Sequence, residues 1–117
     1  MKMQQIPLAA WSMEEDLPAL TLTVPMSKLA SLLKASPERD VDDLGEMDII
    51  LLSRRDGTQW ALRQFDFHAG VQVDVILSPG LERDVLETLR DIGVRRSDVK
   101  WVSDTLREVL AEVVPTL

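Results

Sequence analysis

The chain has 117 residues, a net charge of −7, and 45% hydrophobic against 28% charged residues, which suits one globular core and excludes disorder. The absence of cysteine and the single histidine exclude disulfides, thiolate chemistry and histidine-rich metal sites. No apolar run approaches the ~20 residues of a membrane span, and the first residues lack the apolar region of a signal peptide, so a cytoplasmic single domain is expected.

Residues 1–18 carry little pattern and are expected to be weakly structured. Ser12 and Glu15 have capping-box spacing, so one helical turn is expected there, ended by Pro18. Residues 19–24 alternate in β-forming types and predict a strand. Ser27 is placed to cap a helix running to Ala35, with Met26, Leu29, Leu32 and Leu33 on one side and Pro37 as the stop.

An acidic run follows. Glu38, Asp40, Asp42, Asp43, Glu46 and Asp48 stand against Arg39 alone, so eleven residues carry five of the seven net negative charges. A field this concentrated steers basic partners and repels nucleic acid and anionic lipid. Asp40, Asp42 and Gly45 fit positions one, three and six of an EF-hand loop, but Leu44 and Leu51 fall where ligands are needed, and the match fails. The run is expected to be a charged loop leading into the sheet, with Asp48 at its margin.

Three antiparallel strands are predicted over residues 47–55, 58–67 and 71–78. Asp56-Gly57 predicts a two-residue hairpin turn, and His68-Ala69-Gly70 a three-residue one. Those turns set Leu52 opposite Ala61, Ile50 opposite Arg63, Phe65 opposite Val73 and Arg63 opposite Val75. One face then collects Ile50, Leu52, Phe65, Phe67, Val71, Val73, Val75 and Leu77 as the core. Arg63 points inward with Asp48 as its partner, because a buried guanidinium must be paired. The other face shows an apolar patch of Ile49, Leu51, Trp60, Leu62 and Ile76, with Trp60 as a binding anchor or an element packed over it. A one-residue slip would exchange every assignment.

Ser78 and Pro79 predict the start of a helix carrying Leu81, Val85, Leu86, Leu89 and Ile92, stopped at Gly93. Val99, Val102, Leu106, Val109 and Val113 form a 3-4-3-4 stripe, which favours one helix over residues 98–114. Ser103-Asp104 as a fresh N-cap gives the alternative, a short strand and then a helix. Arg90, Arg95, Arg96 and Lys100 form the one compact basic cluster, suited to a helix C-terminus or to the acidic run of a second copy.

Phosphate-cradling loops, G-x-S-x-G and H-E-x-x-H are all absent, and His68 falls at a loop tip without a nucleophile beside it. The expected fold is α+β, about four strands of mainly antiparallel sheet in the order β-α-β-β-β-α-α, packed by two or three helices. The expected function is that of a non-catalytic, acidic immunity or inhibitor protein neutralising a basic protein such as a bacterial toxin. Glu38, Asp40, Asp42, Asp43, Glu46, Asp48 and Trp60 would meet the partner, without cofactor or metal and without nucleic acid or membrane. A small dimeric secretion chaperone and a divalent-metal enzyme using Asp and Glu are the alternatives.

Overall fold

A computed structural model describes residues 3–14, 17–67 and 70–114. It is α+β, with a sheet of seven strands rather than four and three α-helices. The strands are β1 (Gln4–Ile6), β2 (Leu20–Leu22), β3 (Glu38–Asp42), β4 (Gly45–Ser53), β5 (Gln59–Phe65), β6 (Val73–Leu77) and β7 (Val99–Val102). The helices are α1 (Met26–Leu33), α2 (Glu82–Asp91) and α3 (Asp104–Val113). The sheet runs β1-β4-β5-β6-β2-β7, every pair antiparallel, with β3 on β4 as well.

Strand β4 is shared along one edge. Its first half, to Ile49, pairs with β3, and Leu51 to Ser53 pair with β1. The Gln5 side chain bridges the gap, donating to the Ser36 carbonyl at 2.7 Å and accepting the Ser36 N–H at 2.9 Å.

All three helices pack on one face. Met26, Leu29 and Ala30 of α1, Val85, Leu86 and Leu89 of α2, and Leu106, Leu110 and Val113 of α3 bury against Ile50, Leu52, Trp60, Leu62, Val73 and Val75. The opposite face carries a smaller cluster, Ile49, Leu51, Ala61 and Ile76, covered by Ile6, Leu8, Trp11 and Met13 of the N-terminal arm. The arm's helical turn is a 3-10 turn at Leu8–Ala10, ahead of the expected position at Ser12. Gln59 pins the arm, accepting the Ser12 N–H at 2.8 Å and donating to the Ala10 carbonyl at 2.8 Å.

Both hairpin registers differ by one residue from those expected. Ile50 faces Leu62, Leu52 faces Trp60, and Arg63 faces Ile49 on one side and Asp74 on the other. The first loop holds three residues, Arg55-Asp56-Gly57, closed by the Arg54 N–H on the Thr58 carbonyl at 2.9 Å. Gly57 alone takes a positive φ there, +90°. The two slips cancel for β6 but invert β5. Trp60 and Leu62 therefore lie in the main core, and Arg63 and Phe65 on the other face. Phe67 and Val71, expected in the core, are exposed.

Other boundaries shift for local reasons. Helix α1 is entered from Pro25 rather than capped by Ser27, and Leu32 faces solvent. Ser78-Pro79-Gly80 forms a turn, and α2 begins after Leu81. The expected helix over residues 98–114 is instead β7 followed by α3, entered from Ser103. His68 lies outside the described residues, as does Glu15.

Candidate functional site

The acidic run is a β-hairpin and not a loop. Strands β3 and β4 pair without a register shift from Glu38↔Ile49 to Asp42↔Gly45, turning through Asp43 and Leu44. Because side chains alternate along a strand, the six carboxylates are divided. Glu38, Asp40 and Asp42 lie opposite Ile49, Met47 and Gly45 and share their face, which is the face of the N-terminal arm. Glu46 and Asp48 lie on the face of Ile50, toward the helices. Asp43 sits in the turn.

The helix-side pair shares a single guanidinium with Asp66. Arg39 donates from Nη1 to Asp48 at 3.0 Å, and grips Asp66 at the end of β5 through Nη1 at 3.0 Å and Nη2 at 2.6 Å. Glu46 lies 4.0 Å from the same guanidinium. The hydrogen bond from Arg39 holds the Asp66 carboxyl below the usual aspartate range, and Asp66 and Asp48 in turn raise the guanidinium further above its ordinary value. Arg63, expected beside Asp48, instead meets Asp74.

The arm-side group is different. Glu38 accepts the Leu8 N–H at 2.9 Å and so fastens the 3-10 turn to β3. Asp42 accepts the Leu44 N–H at 2.8 Å within the turn. Among the described residues, no cation lies within ion-pair distance of Asp40 or Asp42. Between these two aspartates and the arm lies a pocket of about 250 Å³, lined further by Leu8, Trp11, Met47, Ile49 and Arg63. The Trp11 Nε1–H donates to the Met13 carbonyl at 3.1 Å, which fixes the ring in the arm.

Arg63 forms the inner border of the pocket. It is 8% exposed, its Nη2 lies 3.6 Å from Asp74, and its guanidinium rests 4.9 Å above the Phe65 ring. Asp74 also accepts the Thr21 hydroxyl at 3.1 Å. Phe65 stacks on Phe67, with centroids 4.9 Å apart. Phe67, Val41 and Leu44 leave an apolar fringe exposed around the hairpin end.

The structure thus brings Glu38, Asp40 and Asp42 together, and separates Glu46 and Asp48 from them. Trp60 is fully buried under the helices and is no surface anchor. The apolar patch expected around it does not exist as an open surface. Leu8, Trp11 and Met47, which sequence reasoning did not single out, line the pocket, and only the alternation of carboxylates at 38, 40 and 42 hinted at a strand face there. Among the described residues, no three histidine, aspartate or glutamate side chains converge as a metal ion requires, and no helix is long and apolar enough to cross a membrane. The basic cluster lies toward the far edge of the sheet. Lys100 of β7 donates to Gln72 at 2.8 Å, and Arg96 to the Val114 carbonyl at 3.0 Å. Comparison with family models, curated proteins and solved structures finds no match to this chain.

Proposed function

We propose that the chain is a non-catalytic protein-binding domain of the immunity or inhibitor type, which captures a basic protein partner, such as a bacterial toxin, on the arm-side face of the β3–β4 hairpin. One observation carries this reading. Asp40 and Asp42 stand side by side on the outermost strand without a cation among the described residues, while the neighbouring carboxylates at Asp48 and Asp66 are already held by Arg39. The carboxylates standing without a cation beside them are therefore on the arm-side half of the run, while Arg39 offsets part of the charge on the other half. Fields of this kind raise association rates more than they raise affinity.

The test is kinetic. With the partner in hand, the Asp40→Asn/Asp42→Asn/Asp43→Asn variant should associate about tenfold more slowly at low salt, and the difference should shrink as salt screens it. An unchanged rate at low salt would remove the reading. A gene for a basic toxin directly beside the gene for this chain would identify the partner to use. A chaperone holding an extended client needs an open apolar face, and the face expected to supply it is occupied by the helices on one side and by the arm on the other.

A further inference from the structure

We infer that the pocket between β3 and the N-terminal arm is an anchor site for one arginine side chain of the partner; this rests on the reading above and gives it a specific contact. The pocket has two kinds of wall. Leu8, Trp11, Met47 and Ile49 supply apolar surface, and Asp40 and Asp42 supply two carboxylates at alternate positions of one strand.

Its inner border is charged but internally compensated. Arg63 is neutralised by Asp74, and Thr21 and the Phe65 ring fix that pair in place. The charge facing an incoming group is therefore that of Asp40 and Asp42, and the group complementary to it is an organic cation with an apolar stem. A bare metal ion would find only two carboxylates and no third ligand among the described residues.

Arginine fits better than lysine for two reasons. Its guanidinium is planar and weakly hydrated, so it tolerates the Trp11 and Leu8 wall at lower desolvation cost than an ammonium. Its several N–H donors can also reach two separate carboxylates at once, where an ammonium acts as a point charge. Trp11 adds an aromatic surface of the kind that attracts cations. A consequence is that the N-terminal arm, pinned by Glu38 and Gln59, is half of the binding site as well as a cover for the small apolar cluster.

The experiment needs no natural partner. The full chain, labelled with nitrogen-15, is titrated separately with N-acetyl-arginine amide, the lysine analogue and the neutral citrulline analogue, following the indole N–H of Trp11 and the amide of Leu44. The expected result is a saturable shift of both signals with arginine, weaker binding of lysine, and at least about tenfold weaker binding of citrulline. Asp40→Asn/Asp42→Asn, at exposed positions, should abolish the shift while leaving the rest of the spectrum in place. Equal responses to arginine and citrulline, or no saturable response, would overturn the inference. So would unchanged arginine binding by the double variant. The steering measurement is separate: slowed association in the triple variant with a silent pocket would sink the anchor and keep the acidic face, and the reverse pattern would sink the steering and keep the anchor.

Discussion

Arg39 on β3 holds Asp66, at the end of β5, through two parallel hydrogen bonds of 3.0 and 2.6 Å, across the intervening strand β4. The fork geometry suits guanidinium and carboxylate, and it ties the acidic hairpin to the sheet at a point where no apolar side chain does so. Removing it should leave the core intact and loosen the hairpin. In Arg39→Gln, amide exchange should quicken along β3 and in the first half of β4, and stay slow in β5 and β6.

The same contact has a pH signature. Asp66 is lowered by Arg39, and Asp56 is lowered by the Thr58 hydroxyl at 2.5 Å and the Thr58 N–H at 3.0 Å. A carboxyl whose folded value is depressed contributes stability that is present above its unfolded value, about 3.9, and is lost as pH falls through the folded value. Acid unfolding of Arg39→Gln should therefore begin at higher pH than in the parent chain. Carboxyl NMR titration should show Asp66 returning toward the ordinary aspartate value, with Asp56 unmoved.

Trp60 is fully buried, and its Nε1–H meets no acceptor among the described residues. An unsatisfied buried donor costs about 1–3 kcal/mol. Trp60→Phe loses ring contacts but removes that donor, so it should cost less than about 1.5 kcal/mol, while Trp60→Ala should cost about 3–5 kcal/mol. Urea melts of the two variants decide the matter. Equal losses would mean that the indole N–H is satisfied in solution.

Arg63 and Asp74 face each other across β5 and β6, with side chains only 9% and 10% exposed. Asp74→Ala should cost about 3 kcal/mol or more, because it breaks a buried ion pair and takes one counter-charge from a buried guanidinium. Arg63→Met combined with Asp74→Leu should recover most of that loss. A double variant as unstable as the single one would assign the cost to packing rather than charge.

Lys34 ends α1 in the left-handed conformation, φ 56°, ψ 44°, with its N–H and that of Ala35 closing the helix on the Ala30 carbonyl. A side chain in that region carries a Cβ penalty that glycine avoids. Lys34→Gly should raise stability by about 1 kcal/mol, read as an upward shift of the thermal midpoint.

Most of the sheet's interior was legible, since β4, β5 and β6 announce themselves by composition and β2 by alternation. What failed was parity. Asp56-Gly57 suits a two-residue turn and equally a three-residue loop in which only the glycine needs positive φ. Asp56 favours the longer loop by accepting from Thr58. One added loop residue moved Trp60 from the open face into the core. The C-terminal misreading has a different cause. Leu20 and Leu22 pair with Val102 and Val99, so an extra residue at Lys100 bulges the strand and gives two valines three apart the same face. That spacing imitates a helix. Strand β3 was hidden because its residues are poor strand formers, and pairing with β4 and the Arg39 bonds to Asp48 and Asp66 hold it in place. The pocket was beyond reach of sequence, since it needs an arm and a hairpin separated by some thirty residues to meet at Leu8 and Glu38.

On the helix-facing side of β4, Ile50 and Leu52 are sealed in the core, whereas Glu46 and Asp48 project beyond the reach of any helix. The hairpin is a peninsula of the sheet: on its helix-facing side backbone pairing and a guanidinium join it, and on the other side Met47 and Ile49 are buried and Glu38 holds the arm. Substitutions at its exposed positions, such as Asp40, Asp42 and Glu46, remove no buried side chain. The exposed carboxylates of β3 and the side chains of the main core thus fall in different stretches of the chain, so the charge of the hairpin can change without repacking that core.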